Sequence, residues 1–315
     1  MARRSDSSLA AVLLTQRLVD APADPLKSTE YWSLLDAVPD VASLLGRDAD
    51  DIAAAGIEQS FAERVARRFD ASTALAFALD ELEQSGLRVV VSLDDDYPDV
   101  LRQKLGKSAP PLLYTAGVAA LLSGDLLGIV GSRDVSDDGA TAARAAAREA
   151  VRHGLGIVSG GAKGVDRLAM EEALAAGGTA VGVLADSLIR TTRDPEVRRA
   201  ITDGELCLCS PYKPTAPFTV ANAMGRNKVI YALSQATFVV ASDLEQGGTW
   251  AGATEALKRS IAPVLVWTGD GVGPGNEQLV DLGAIPIGSI DDLLPLAQRA
   301  QPEENEASEQ LALEV

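Results

Sequence analysis

The sequence predicts an α/β protein: a doubly wound, mostly parallel sheet preceded by a small helical domain. Three observations predict it. From about Asp125 onward, apolar runs of strand length alternate with segments of helical periodicity, the β-α-β-α order that a parallel sheet requires. These runs are apolar throughout instead of at every second position, so the strands are buried on both faces. Before Gly86, apolar residues recur at helical spacing.

In chain order, DAVPDVASLLGRDADDIAAAG (36–56) reads as two short helices around a glycine turn. AERVARRFDASTALAFALDELEQSG (62–86) continues the helical pattern, and Gly86 stops it. At Leu87 the pattern changes. LRVVVSL is a short β-branched run followed by the turn-rich DDDYPDV, and PPLLYTAG is a second short strand. The alternating series then begins. Strand LLGIVGS precedes helix GATAARAAAREAVRHG, LGIVSG precedes VDRLAMEEALAAGG, and TAVGVLA precedes DPEVRRAITDG. ELCLCSP precedes ANAMGRNKVIYALS, ATFVVAS precedes TWAGATEALKRS, and IAPVLVWTG with a short AIPIG closes the sheet. The end of the chain, QPEENEASEQLALEV, is acidic and poor in aromatics, the composition of a disordered segment. The expected division is a helical domain over 1–86, a sheet domain over 87–298 and an acidic tail over 299–315.

Composition excludes several classes. No stretch of about 18 apolar residues is free of charge, so no membrane span is expected. The opening MARRSDSSLAAVLLTQRLVDAP has a short apolar run that Gln16 and Arg17 interrupt, which fits the first helix of a cytoplasmic protein and not a secretory signal. Cys207 and Cys209, the only cysteines, have neither CxxC nor zinc-site spacing and read as buried thiols. His153 is the single histidine and sits near a helix end. Without a triad, a metal cluster or a phosphate-binding P-loop, the sequence points to no enzyme, no metal and no cofactor. The net charge of −17 argues against a generic nucleic-acid coat. That charge is uneven: Gly131 to Lys228 holds 13 basic and 12 acidic residues.

Four segments carry the chemistry. They are GSRDVSDDG (Gly131–Gly139), SGGAKG (Ser159–Gly164), the helix-like NAMGRNK (Asn222–Lys228) and SDLEQGGTW (Ser242–Trp250). Each follows an apolar strand, so all should open on one edge of the sheet, where doubly wound sheets bind ligands around a switch point. Glycines let backbone N–H groups approach an anion closely, and a helix N-terminus adds partial positive charge. Arg133, Lys163, Arg226 and Lys228 add side-chain cations. The blander reading is that the glycines only permit tight turns. Asp166, in the helical turn after the second segment, reads as a cap or a helix-dipole partner. Arg190, Arg193, Arg198 and Arg199 form a further basic group, either a solvated helix face or a flank of the same site. Tyr212, Phe218, Tyr231 and Trp250 are stacking candidates or core residues.

IVGSR (129–133), VSGGAKGVDRLAMEEAL (158–174), GRNKVIYALS (225–234) and GGTWAGATEAL (247–257), in this order, resemble the DprA/Smf family of DNA-processing proteins. The resemblance runs from about Leu87 to Ile287. It implies an extended Rossmann-like domain that binds single-stranded DNA, forms a homodimer and delivers the strand to a RecA-type recombinase in natural transformation or related DNA uptake. By position, Arg133 matches the family's GSR arginine. Ser159, Gly160, Gly161, Gly164 and Asp166 match its SGGAxGxD loop, within which Lys163 lies. Arg226, Asn227 and Lys228 match its RNR element with lysine in the last place, and Gly247, Gly248 and Thr249 match its later glycine-rich turn. The family's usual histidine after the loop is Met170 here. A second reading is a nucleotide-binding sensor or hydrolase resembling the LOG phosphoribohydrolases. Their PGGxGTxxE motif has QGGTWAGATE as its counterpart, in which Glu255 lies one residue too far along, about 100° around a helix.

Overall fold

The computed structural model describes residues 4–301. The acidic tail from residue 302 onward lies outside the described residues. Five helices come first: α1 (Asp6–Thr15), α2 (Ser28–Ala37), α3 (Ala49–Ala53), α4 (Gln59–Phe69) and α5 (Ser72–Gln84). Helix α1 is capped by Ser5 and buries every residue from Ala10 to Leu14. A helix apolar on all sides needs cover on all sides. Its C-terminal carbonyls are met by Arg68 of α4, a fully buried arginine. The Arg68 Nε donates to Leu13 O at 2.9 Å, Nη2 to Gln16 O at 2.9 Å and Nη1 to Ala23 O at 3.0 Å. Three carbonyl partners are what make burial of this cation tolerable.

The sheet has nine strands: β1 (Arg88–Val91), β2 (Leu112–Gly117), β3 (Leu126–Val130), β4 (Gly156–Ser159), β5 (Ala180–Val183), β6 (Leu206–Ser210), β7 (Ala236–Val239), β8 (Val264–Trp267) and β9 (Ile285–Ile287). Their spatial order is β1-β2-β6-β5-β4-β3-β7-β8-β9. The run from β6 to β9 is parallel, and β1 and β2 join it antiparallel. The sheet is thus α/β and mostly parallel, as expected. The helices within it are α6 (Val100–Leu105), α7 (Asp137–Arg152), α8 (Val165–Ala175), α9 (Leu188–Thr191), α10 (Pro195–Thr202), α11 (Val220–Leu233), α12 (Gly247–Arg259), α13 (Asn276–Asp281) and α14 (Leu293–Arg299). The alanine-rich face of α7, Ala142, Ala143, Ala146, Ala147 and Ala150, lies buried with Leu127, Ile129 and Phe238 of the sheet. Small side chains let the backbone sit close to the strands.

Leu87 falls between α5 and β1, and one apolar cluster crosses it, from Leu13, Trp32 and Leu75 to Val90, Leu113 and Tyr231. The Trp32 Nε1 donates to Ala109 O at 2.9 Å, which pins α2 to the start of β2.

The chain winds outward from β3 to β6 and then returns to β7 beside β3, so the switch point lies between β3 and β7. The crevice there is filled by the segment after β8. Gly273 packs against Ser242, where a Cβ would lie 2.5 Å from the Ser242 nitrogen. Asn276 closes it further, its Oδ1 accepting the Ser242 N–H at 2.8 Å and its Nδ2 donating to Val240 O at 2.9 Å. The open ground at the carboxyl edge is displaced toward β4, β5 and β6.

Candidate functional site

Strand β4 ends at Ser159, which is fully buried, and its Oγ donates to Ile129 O at 2.6 Å. This hydroxyl ties β4 to β3 and turns away from solvent, contrary to its expected place in a phosphate cradle. The chain then turns through Gly160–Gly164. A Cβ on Gly160 would overlap the Arg226 Nη1 and fall 2.5 Å from Asp166 Oδ2, so only hydrogen fits. Gly164 has φ +86°, and its backbone lies against Ser132 and Arg133, 2.7 Å separating a hypothetical Cβ from Arg133 Cα. Bare backbone at these two positions brings the loops after β3 and β4 into contact.

Asp166 fastens them. Its buried carboxylate faces the backbone amides of Gly131, Gly160 and Ala162, which favour its charged form. It sits buried in the first turn of α8, between that helix start and Arg226. Burial pushes its pKa up, opposed by Arg226 and the three amides. The Arg226 Nη1 stands 3.8 Å from Asp166 Oδ2 and only 6% of the residue is exposed. Burial lowers the pKa of this guanidinium, while Asp166 acts to raise it. The Arg226 Nε has no hydrogen-bond partner. An unmatched donor on a buried cation is costly unless something arrives to accept it.

Arg226 belongs to the interior of α11. Thr219 caps that helix, its Oγ1 accepting the Asn222 N–H at 3.0 Å. The segment Asn222–Lys228 is therefore helix, and the strand-to-helix connection is residues 211–219. Two residues apart on a helix means about 200° of rotation. Lys228 accordingly leaves the Arg226 side and pairs with Glu255, Nζ to Oε1 at 3.0 Å. Asn227 donates from Nδ2 to Gly248 O at 2.9 Å and so holds the first turn of α12. Gly247, Gly248 and Thr249 form that turn, and none of them lines the cleft that holds Arg226. The same Glu255 also meets Arg259 at 3.4 Å, so both its neighbours are cations.

The residues brought together are Arg133, Gly160, Gly161, Lys163 and Arg226. They line one end of a cleft of about 1300 Å³ between α8, α10 and the β5–β6 edge. Arg133 and Lys163 are exposed and have no ion pair among the described residues. The Arg133 guanidinium lies 5.3 Å from the ring centroid of Phe218, which is 48% exposed. Arg167, Arg190 and Arg199 also border the cleft, but each has a carboxylate on or beside its own helix: Glu171 at 2.6 Å, Asp186 at 3.8 Å and Asp203 at 3.5 Å. Arg193 and Arg198 are not part of its lining. The middle of the cleft is apolar, with Met170, Leu174, Val197 and Leu206. Its lining also carries Asp194, Glu196 and Glu205 besides the three carboxylates paired with those arginines. The cations free of an ion pair, Arg133 and Lys163, lie at the rim, so an anion is favoured there over the rest of the cleft.

Of the four aromatic candidates, only Phe218 stands in the cleft. Tyr231 is buried at 2% exposure and Trp250 packs at the edge of the core, while Tyr212 faces a second cleft. The apolar wall from α10 was not anticipated. Its helix reads from sequence as strongly polar, and its partner, Leu206, lies on a strand. Among the described residues no group of three His, Cys, Asp or Glu side chains is placed to hold a metal. No described helix is long and apolar enough to cross a membrane.

Residues 88–298 match the model of the family described as DNA recombination-mediator protein A. Protein Smf of Escherichia coli is 27% identical over 284 residues, covering 84% of this chain and 74% of the relative. DNA processing protein DprA of Streptococcus pneumoniae is 29% identical over 207 residues, covering 64% of this chain and 71% of the relative. Among solved structures, DNA processing protein A from Streptococcus pneumoniae superposes with a TM-score of 0.69 at 22% identity, covering 93% of this chain and 98% of that one. DNA processing protein A from Helicobacter pylori, described for its single-stranded DNA binding mode, superposes with a TM-score of 0.55 at 24% identity, covering 69% of this chain and 97% of that one.

Proposed function

The chain belongs to the DNA recombination-mediator protein A family, and from that premise we propose that it binds single-stranded DNA at the rim formed by Arg133, Lys163 and Arg226. The strand's phosphates meet these cations and the Gly160–Lys163 backbone, and Phe218 offers a ring on which a base stacks. Protection of the incoming strand and its delivery to a RecA-type recombinase in DNA uptake, by a homodimer in the cytoplasm, complete the reading. It involves no covalent step.

The observation that carries it is the Arg226 guanidinium lining the cleft beside Arg133 and Lys163, two exposed cations without an ion pair among the described residues. A phosphate supplies the negative charge that Arg133 and Lys163 lack there, through charge-assisted hydrogen bonds. Ser159, Gly164 and Asp166 enter as supports that hold the two loops in contact. The turn at Gly247–Thr249 is held by Asn227 and lies outside this rim.

The test is fluorescence anisotropy with oligo-dT on the full chain. Arg133→Glu with Lys163→Glu should weaken binding at least tenfold and leave the melting temperature unchanged, because both side chains are exposed. The log–log salt slope should become shallower by about 1.4, at about 0.7 per lost single-strand contact. Unchanged affinity in that variant would place the DNA elsewhere.

A further inference from the structure

A second cleft of about 300 Å³ lies on the other side of the 211–219 connection, between the helical N-terminal part, β2 and α11. Its lining includes Arg17, Lys27, Lys213 and Lys228, and no aspartate or glutamate. In a chain of net charge −17 this is an unusual concentration of one sign. Arg17 and Lys213 have no ion pair among the described residues and both are exposed. Lys228 is half-buried and shares Glu255 at 3.0 Å with Arg259. Lys27 stands beside Glu30, whose carboxylate accepts the Lys27 backbone N–H at 2.7 Å. These four cations therefore retain a net positive surplus around one hollow.

The hollow is held in shape. Tyr114 of β2 and Arg17, just after α1, line it together. Tyr212 lies against α11 where Gly225 leaves room, since any side chain there would strike its hydroxyl. The two clefts are adjacent: Pro211, Tyr212 and Lys213 line this one, and Phe218 lines the other. On α11, Gly225 and Lys228 face this cleft while Arg226 faces the first.

We infer that this cleft binds phosphate groups, as a second station for a nucleic-acid strand that crosses the 211–219 connection from the Arg226 rim. Like charges gathered around a small hollow repel one another, and a phosphate relieves that repulsion while accepting their hydrogen bonds. The volume is at the lower end of the range for small-ligand sites, about 300–1,000 Å³, which suits one nucleotide unit. The inference extends the DNA-binding reading and rests on it for the identity of the polyanion.

The experiment compares the full chain with Arg17→Glu/Lys213→Glu, neither residue being part of the Arg226 rim. Oligo-dT of about six nucleotides, short enough for one station, should bind both equally. Oligo-dT of about twenty nucleotides should bind the variant at least tenfold more weakly, with a salt slope shallower by about 1.4. Pyrophosphate and dTMP form a separate arm, read by thermal shift. Stabilisation of the wild type but not of the variant, with oligonucleotide affinities unchanged, would assign the same phosphate chemistry to a free nucleotide. Identical behaviour of the two proteins in every arm would overturn the inference. Arg17→Gln/Lys213→Gln, which removes charge without reversing it, guards against a folding defect and should show the same change of about 1.4 in the salt slope. If the short oligonucleotide failed to bind the wild type, the primary reading would fall, and the pyrophosphate arm would still test this one.

Discussion

At the scale of single residues, Arg226 and Asp166 do the most to define the site. Neither survives alone in a dry environment: the carboxylate has three amides and one cation, and the cation has one carboxylate and an unmet donor. Arg226→Met should cost about 3–5 kcal/mol of stability, because it strands a buried carboxylate. Arg226→Met with Asp166→Asn should recover part of that loss in the same calorimetric measurement. Gly160→Ala carries a related expectation. Its methyl group occupies the place of the guanidinium, so melting temperature and oligonucleotide affinity should fall together. A variant that bound normally would show that the guanidinium can relocate without consequence.

At the scale of elements, α11 carries Arg226 toward one cleft and Lys228 toward the other, and its own ends are secured separately. Thr219 caps the start. At the finish, Lys104 of α6 donates from Nζ to Ser234 O at 2.6 Å. Burial lowers the Lys104 pKa from 10.5 to about 8. Between those values the unfolded chain keeps a proton that the folded chain has released, so this residue makes stability rise with pH from about 8 upward. Burial raises the Cys207 thiol from 9 to about 12 and the Tyr31 and Tyr114 hydroxyls from 10 to about 12. Those groups act in the opposite sense: their contribution is complete below the unfolded pKa and is lost as pH climbs above it. Cys207 and Cys209 already oppose the lysine as pH nears 9, so its contribution stands clearest between about 7.5 and 8.5. Lys104→Met should flatten the rise in melting temperature across that window, and an unaltered slope would assign it to another group.

At the scale of the molecule, an acidic protein carries Arg133 and Lys163 on one hollow and Arg17 and Lys213 on an adjacent one, none of the four with an ion pair among the described residues. Long-range repulsion between a net charge of −17 and a polyanion is screened at physiological salt, whereas contacts made inside the clefts persist. With about three phosphate contacts at the Arg226 rim, the log–log salt slope for a short oligonucleotide should be near −2. A fourfold rise in salt would then weaken binding about fifteen-fold. An affinity insensitive to salt would exclude a phosphate-based interface. Two copies per particle, as the family resemblance implies, should appear by light scattering as twice the 32.8 kDa chain mass.

Periodicity alone determined the sheet. LLGIVGS, LGIVSG, TAVGVLA, ELCLCSP and ATFVVAS each became a strand, because an uninterrupted apolar run between helical segments has no stable place except a strand buried on both faces. The carboxyl-edge position of Arg133 and Lys163 followed from the same order. Three things were decided only by the fold. The crevice at the switch point was closed by the Gly273–Asn276 segment, which is remote in sequence from the strands it covers. Arg226 and Lys228 were separated by the rotation of a helix where sequence grouped them as cations of one edge, and Ser159 was turned into the sheet by a single hydrogen bond to Ile129. Local pattern states which backbone a segment prefers; which side chains then share a cavity depends on contacts between residues far apart in the chain, and those exist only once the layers have packed.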